Sequence, residues 1–167
     1  MGNLLTPDAY VKNIYGIKPD RLKTNGIKGL ILDIDNTLVP THAPDADNRV
    51  IQYIKELQSN GIKAIIVSNA KQHRVERFAM PLGIDYIYKA LKPFGKGYRE
   101  AIRRMNLKPE EVAIIGDQLF TDIVGGNLAG VKTILISPID PDEPFLLKLK
   151  RLAEKPFLKG KTFLDNY

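Results

Sequence analysis

Residues 29–40 read GLILDIDNTLVP, and the fold turns on how this stretch is taken. Leu30, Ile31 and Leu32 form a continuous apolar run, the pattern of a strand buried on both faces. Two carboxylates, Asp33 and Asp35, follow at once. In an open parallel sheet, ligands bind in the crevice beyond the carboxyl ends of the strands. Acidic groups at such an end sit where a ligand would be held.

Outward from this stretch, short strands alternate with amphipathic helices. Strand patterns cover residues 27–34, 62–68, 86–88, 112–116 and 131–136, each rich in Ile and Val and bounded by Gly, Pro or Asn. Between them, DNRVIQYIKELQSNG places Val50, Ile51, Ile54 and Leu57 on one helical face, with Gly61 at its stop. KQHRVERFAMPLG, GKGYREAIRRMNL and TDIVGGNLAG supply three more helices. Repeated strand–helix–strand units predict a doubly wound α/β domain: a five-stranded parallel sheet with helices on both faces, spanning residues 1–167 as one unit. Residues 1–26, punctuated by Pro7, Gly16, Pro19 and Gly26, read as short helical turns packed on the sheet. Residues 143–167 carry a basic amphipathic segment, with Phe145, Leu146, Leu149 and Leu152 on one face and Lys148, Lys150, Arg151 and Lys155 around it.

Composition narrows the function. An apolar content of 44% and a charged content of 26% are those of a soluble globular protein. The chain has no cysteine, which excludes disulfides, thiolate catalysis and cysteine-bound zinc. No basic region followed by an apolar core opens the sequence and no apolar run spans a bilayer, so a cytoplasmic location is expected. The net charge of +6 favours partners that carry phosphate. Nucleic acid is disfavoured, because there is no zinc-finger spacing, aromatic-rich RNA signature or continuous basic run.

The first four predicted strands deliver polar groups to the same edge. Asp33, Asp35 and Thr37 follow the first, Ser68 and Asn69 the second, Lys92 the third, and Asp117 and Asp122 the fourth. Asp33, Asp35 and Asp117 are the hard oxygen ligands that Mg²⁺ prefers. Beside such an ion a carboxylate can attack phosphorus, and a second one two residues on can pass a proton to the leaving oxygen. Lys92 and Ser68 suit the phosphoryl oxygens. Blander readings exist for single residues: Asx turns at Asp33 and Asp35, a helix cap at Ser68 and Asn69, another at Asp122. His42 and His73 read as surface side chains. GGNLAG reads as close helix–sheet packing, since it lacks phosphate-loop spacing.

The ordered set DIDNT, VSN, LKP and GDQLFTD resembles the haloacid dehalogenase (HAD) phosphohydrolase superfamily. That resemblance implies Asp33 as nucleophile and Asp35 as acid/base, with the Asp35 backbone carbonyl on Mg²⁺. It implies Thr37 as loop support, Ser68, Asn69 and Lys92 as the phosphate-holding group, Asp117 as a metal ligand and Asp122 in the same shell. LLTPDAYVKNIYGI, GLILDIDNTLVP and LKPFGKGYREAIRRM, with VAIIGDQLFTDIVGGNLAG, are similar to the YqeG-type hydrolases of class IIIA. Their mitochondrial and photosynthetic relatives are phosphatidylglycerophosphate phosphatases, which makes that lipid the leading substrate expectation.

The gaps from Asp35 to Ser68 and from Ser68 to Lys92 leave no room for the cap domain such phosphatases often carry. An uncovered site admits a large substrate, such as a lipid headgroup; the alternative is closure by a neighbouring subunit of a homo-oligomer. Residues 145–161 then read either as a peripheral contact with the inner face of an anionic membrane or as a solvated helix packed on the core. Competing functions are a phosphatase for a soluble sugar phosphate or nucleotide, and a catalytically idle phosphate-binding or signalling module.

Overall fold

The computed structural model describes residues 4–140 and 142–167. The first three residues of the N-terminal extension therefore lie outside the description. Six strands form one sheet: β1 (Ala9–Val11), β2 (Gly29–Leu32), β3 (Lys63–Val67), β4 (Asp85–Ile87), β5 (Val112–Gly116) and β6 (Lys132–Ile136). Their order is β1-β6-β5-β2-β3-β4, and every neighbouring pair is parallel. The fold is the expected α/β type, with six strands instead of five.

The additional strand comes from the N-terminal segment that the sequence reads as helical turns. Short turns are present there, a 3₁₀ turn at Ile14–Gly16 and helix α1 (Pro19–Thr24). Ahead of them, however, Ala9–Val11 extends along β6 with Ala9 opposite Ile134. Asp8 fixes the start of this strand, because its Oδ2 accepts hydrogen bonds from the Thr133 backbone N–H at 2.8 Å and hydroxyl at 3.1 Å. A three-residue strand is too short to show a period of its own.

Helices α2 (Asn48–Ser59), α3 (Gln72–Ala79), α4 (Lys96–Met105) and α5 (Val124–Ala129) join successive strands from β2 to β6. Alternation along the strands divides the core into two layers. Leu30, Leu32 and Ile66 point to one face and pack with Val50, Ile54 and Phe78 of α2 and α3. Ile31, Ile65 and Ile114 point to the other, against Tyr98, Ala101 and Ile102 of α4. The glycines of α5 serve close packing, as their sequence context suggests. A Cβ on Gly125 would lie 2.2 Å from the Tyr98 ring, and one on Gly126 would lie 2.4 Å from an Ile114 methyl.

Register decides what the carboxyl edge presents. Leu32 lies opposite both Ile66 and Ile115, so β2, β3 and β5 run out of core together. Asp33, Ser68 and Asp117 consequently emerge at neighbouring points on one edge. The last helix, α6 (Phe145–Leu158), follows β6 beside that same edge.

Candidate active site

Three carboxylates, from Asp33, Asp117 and Asp122, converge with oxygens within 4.8 Å of one another, all buried. Lys92 enters from the loop after β4. Its Nζ donates to Asp33 Oδ1 at 2.5 Å and to Asp122 Oδ1 at 2.8 Å. Asp122 reaches the group through a π-helical turn, Leu119–Ile123, that folds its side chain back over Gly116. Its other oxygen accepts the Gln118 backbone N–H at 3.2 Å, so the side chain spans the site instead of capping the helix that follows.

The loop after β2 is shaped by Asn36, whose φ of +58° lies in the left-handed region that Asn tolerates better than most residues. This bend places the buried Thr37 hydroxyl 3.3 Å from Asp117 Oδ1 and sends Asp35 away from the three acids. Asp35 is one-third exposed (33%) and accepts a 3.0 Å hydrogen bond from Arg74 Nη2. Arg74 is braced in turn by the Pro44 carbonyl at 2.8 Å. Ser68 is buried, and its Oγ accepts the Ala70 N–H at 3.1 Å. Asn69 is exposed, and its side-chain oxygen accepts the Lys92 backbone N–H at 2.8 Å. It thus supports the lysine loop, and neither it nor Ser68 caps α3, whose N-cap is Lys71. His73 is exposed, and His42 is largely exposed with Nδ1 3.5 Å from Asp140 Oδ2.

The C-terminal helix contributes what the sequence reading missed. Arg151 reads there as one of the basic residues flanking an apolar face. In the structure its guanidinium turns inward, donating to both the carboxylate and the backbone carbonyl of Asp117 and to Glu143 Oε1 at 2.8 Å. Glu154, only 1% exposed, pairs with Arg151 at 3.3 Å and accepts the Phe120 N–H at 3.3 Å. Glu143 also accepts a 2.7 Å bond from Asn36 Nδ2, which links the loop after β2 to Arg151 of α6. Helix α6 therefore packs through charged groups as well as through Phe157 and Leu158 near its end, while Phe145 (77% exposed) and Leu146 (71%) face outward. A pairing between residues 34 apart in the chain leaves no local pattern.

Charge at the centre is unbalanced. Burial drives Asp33 up to about 8, with Lys92 opposing the shift and Asp122 and Asp117 adding to it. Burial likewise raises Asp117 to about 7 against the pull of Arg151. Burial opposes the charge on Lys92, yet Asp122 and Asp33 outweigh it and hold the ammonium protonated. One lysine and one arginine thus face three central carboxylates, and the arginine is shared with Glu143 and Glu154. Ionising all three acids requires more positive charge at this point. An all-carboxylate donor set fits a small hard divalent cation, which would be held by Asp33, Asp117 and Asp122.

The fold and this acidic centre define a hydrolase of the haloacid dehalogenase class. Residues 43–130 match the family model for haloacid dehalogenase-like hydrolases, and the chain belongs to that family. It is 47% identical to the protein named probable phosphatase YqeG of Bacillus subtilis, over 92% of this chain and 90% of that one. It is 28% identical to phosphatidylglycerophosphate phosphatase 1 of Arabidopsis thaliana, again over 92% of this chain but only 47% of the plant protein. Among solved structures, the cobalt-bound 8-phosphate phosphatase YrbI of Haemophilus influenzae superposes with a TM-score of 0.57. That match has 19% identity and covers 82% of this chain and 90% of the other, a likeness of fold.

Proposed function

We propose that the chain is a Mg²⁺-dependent phosphomonoester hydrolase that forms an aspartyl phosphate on Asp33. The observation that carries this reading is the Lys92 ammonium, 2.5 Å from Asp33 Oδ1 within a pocket of buried acids. Asp33 attacks phosphorus, and the bond to the ester oxygen breaks. Asp35, on the more exposed side of the loop, gives that departing oxygen a proton, held in place for the transfer by Arg74. Water then attacks the Asp33 phosphoester, Asp35 takes its proton, and inorganic phosphate leaves with Asp33 restored. Lys92 and Ser68 hold phosphoryl oxygens, Thr37 and Asn69 brace the loops around them, and Asp117 and Asp122 hold the cation. Asp33, Asp117 and Asp122 would hold Mg²⁺, with the Asp35 carbonyl as a further donor, and the ion would supply charge neutralisation for phosphate and carboxylate.

The leading substrate is phosphatidylglycerophosphate, cleaved to phosphatidylglycerol. Support comes from the plant relative named for that activity and from the open edge. Residues 33–62 hold only a loop and α2, and the β3–β4 connection only α3 and a 3₁₀ turn, so no inserted domain covers the site. Among the described residues no helix is long and apolar enough to cross a membrane. The outward Phe and Leu row of α6, with Lys148, Lys150 and Lys155 nearby, suits a peripheral contact at the cytoplasmic membrane face through residues 145–161.

The test is a substrate screen in Mg²⁺ that sets phosphatidylglycerophosphate in mixed micelles against soluble sugar phosphates and nucleotides. Preference for the lipid is expected, with turnover abolished by Asp33→Asn. A soluble ester hydrolysed faster would overturn the substrate, and full activity of Asp33→Asn would overturn the nucleophile.

A further inference from the structure

Beside the catalytic group lies a second cavity, of about 510 Å³, between α6 and the end of β6. Its walls are mostly apolar, built from Leu135, Ile136, Pro138, Leu152, Leu158 and Phe163. Two acids, Asp117 and Glu143, form part of the same lining, both paired with Arg151, so the cavity and the acidic centre share a wall. Three cations also line it: Lys148, Arg151 and Lys155. Their commitments differ. Arg151 is consumed by Asp117, Glu143 and Glu154. Lys148 pairs at 3.0 Å with the highly exposed Asp142, an exchangeable partner in water. Lys155 has no ion-pair partner among the described residues.

The volume lies in the range of ligand pockets, which are mostly apolar with a few placed polar groups. Arg151 and Glu154 turn inward on α6, and Leu152, 57% exposed, lines this space from the same helix. An occupant must satisfy apolar walls and two lysines together, beside a site that takes a phosphomonoester. A neutral hydrocarbon would leave Lys155 and Lys148 unmatched; a small polar phosphate would leave the Leu and Phe walls wet.

We infer that this cavity is a lipid subsite, taking the internal phosphodiester and proximal acyl chain of an anionic glycerophospholipid whose terminal phosphate reaches Asp33. The diester lies against Lys155 and Lys148, and the chain runs over Leu152, Leu158 and Phe163. The assignment rests on the phosphatase reading only for the terminal phosphate; the cavity's affinity for an anionic amphiphile can be measured without turnover.

The chain contains no tryptophan, so Phe163→Trp places a single indole reporter in the cavity wall. Titration of this variant with monomeric dihexanoyl-phosphatidylglycerol should give a saturable blue shift. Dihexanoyl-phosphatidylcholine should bind at least about tenfold more weakly, and glycerol 3-phosphate should give no shift. Lys155→Glu and Leu152→Glu, both at accessible positions, should each weaken the anionic lipid by about tenfold with melting temperature retained. The ratio of kcat/KM for short-chain phosphatidylglycerophosphate over glycerol 3-phosphate should fall by a similar factor in both variants. Equal binding of the two lipids, or binding indifferent to both substitutions, overturns the subsite. Selective binding by a protein that hydrolyses neither ester supports the subsite and removes the phosphatase reading.

Discussion

Arg151 of α6 holds the carboxylate of Asp117 at the end of β5, a pairing that fastens the last helix to the centre of the site. One guanidinium thereby serves three acids, because Glu143 and Glu154 close on it as well. Removing one member of a buried ion network costs about 3–5 kcal/mol, since the partners keep their desolvation penalty. Arg151→Ala is therefore expected to destabilise the protein by about 3 kcal/mol, read as a lower urea midpoint. Helix α6 should then exchange its amide protons faster than the sheet. An unchanged midpoint would show that α6 is held by other contacts.

Metal-free protein should lose stability as pH rises. Asp33 titrates near 8 and Asp117 near 7 in the fold, against 3.8 in the unfolded chain. Between about pH 4 and pH 8 the folded state binds protons that the unfolded state has released. Stability from this source is complete at the acid end of that window and is lost as pH climbs through 7 and 8. A cation that binds the ionised carboxylates reverses the loss. Thermal melts in chelator should therefore drop from pH 5.5 to pH 8.5, and Mg²⁺ should raise the melting temperature far more at pH 8.5. A chelated protein that melts higher at pH 8.5 would contradict the assignment of buried, unbalanced acids.

Much of this arrangement is legible in the chain because its parts are local. Asp33, Lys92, Asp117 and Asp122 each follow an apolar run that ends in the same plane, and parallel strands with aligned register then bring them together. Three features escaped. β1 is too short to carry a period and draws its order from Thr133 and Leu164, far along the chain. Arg74 lies in the helix stretch KQHRVERFAMPLG with nothing local to single it out, yet it reaches both the Pro44 carbonyl and Asp35. In α6 the sequence marks the apolar row and neither Arg151 nor Glu154, yet these two turn inward to partners just past β5, in the turn that follows and in the loop before α6.

In the proposed mechanism Arg74 positions Asp35, to which it donates at 3.0 Å while the Pro44 carbonyl anchors it. Acid–base assistance is worth about 10²–10⁴-fold in rate, and loss of orientation should forfeit part of it. Arg74→Met is expected to lower kcat by about tenfold with little change in KM. Arg74→Lys should recover part of kcat. A matching fall for a substrate whose leaving group needs no proton, such as a nitrophenyl ester, would assign Arg74 a structural role instead.

Gly116 leaves room for Asp122. A Cβ at this position would lie 2.3 Å from Asp122 Cγ and 2.4 Å from its Oδ2, closer than any real contact, while both neighbouring strands pin the β5 backbone. Gly116→Ala must therefore move the aspartate, which breaks its bonds to Lys92 and to the Gln118 N–H. Overpacking of this kind costs about 1–3 kcal/mol, and the displaced lysine should lower turnover further. Asp122→Asn separates the two effects: it keeps the volume and the Gln118 bond but leaves Lys92 with Asp33 alone. If Asp122 acts through its charge, the Asn variant should melt near wild type yet bind Mg²⁺ at least about tenfold more weakly by calorimetry. If the alanine variant alone were impaired, the residue would serve packing around Gly116, and the cation would rest on Asp33 and Asp117.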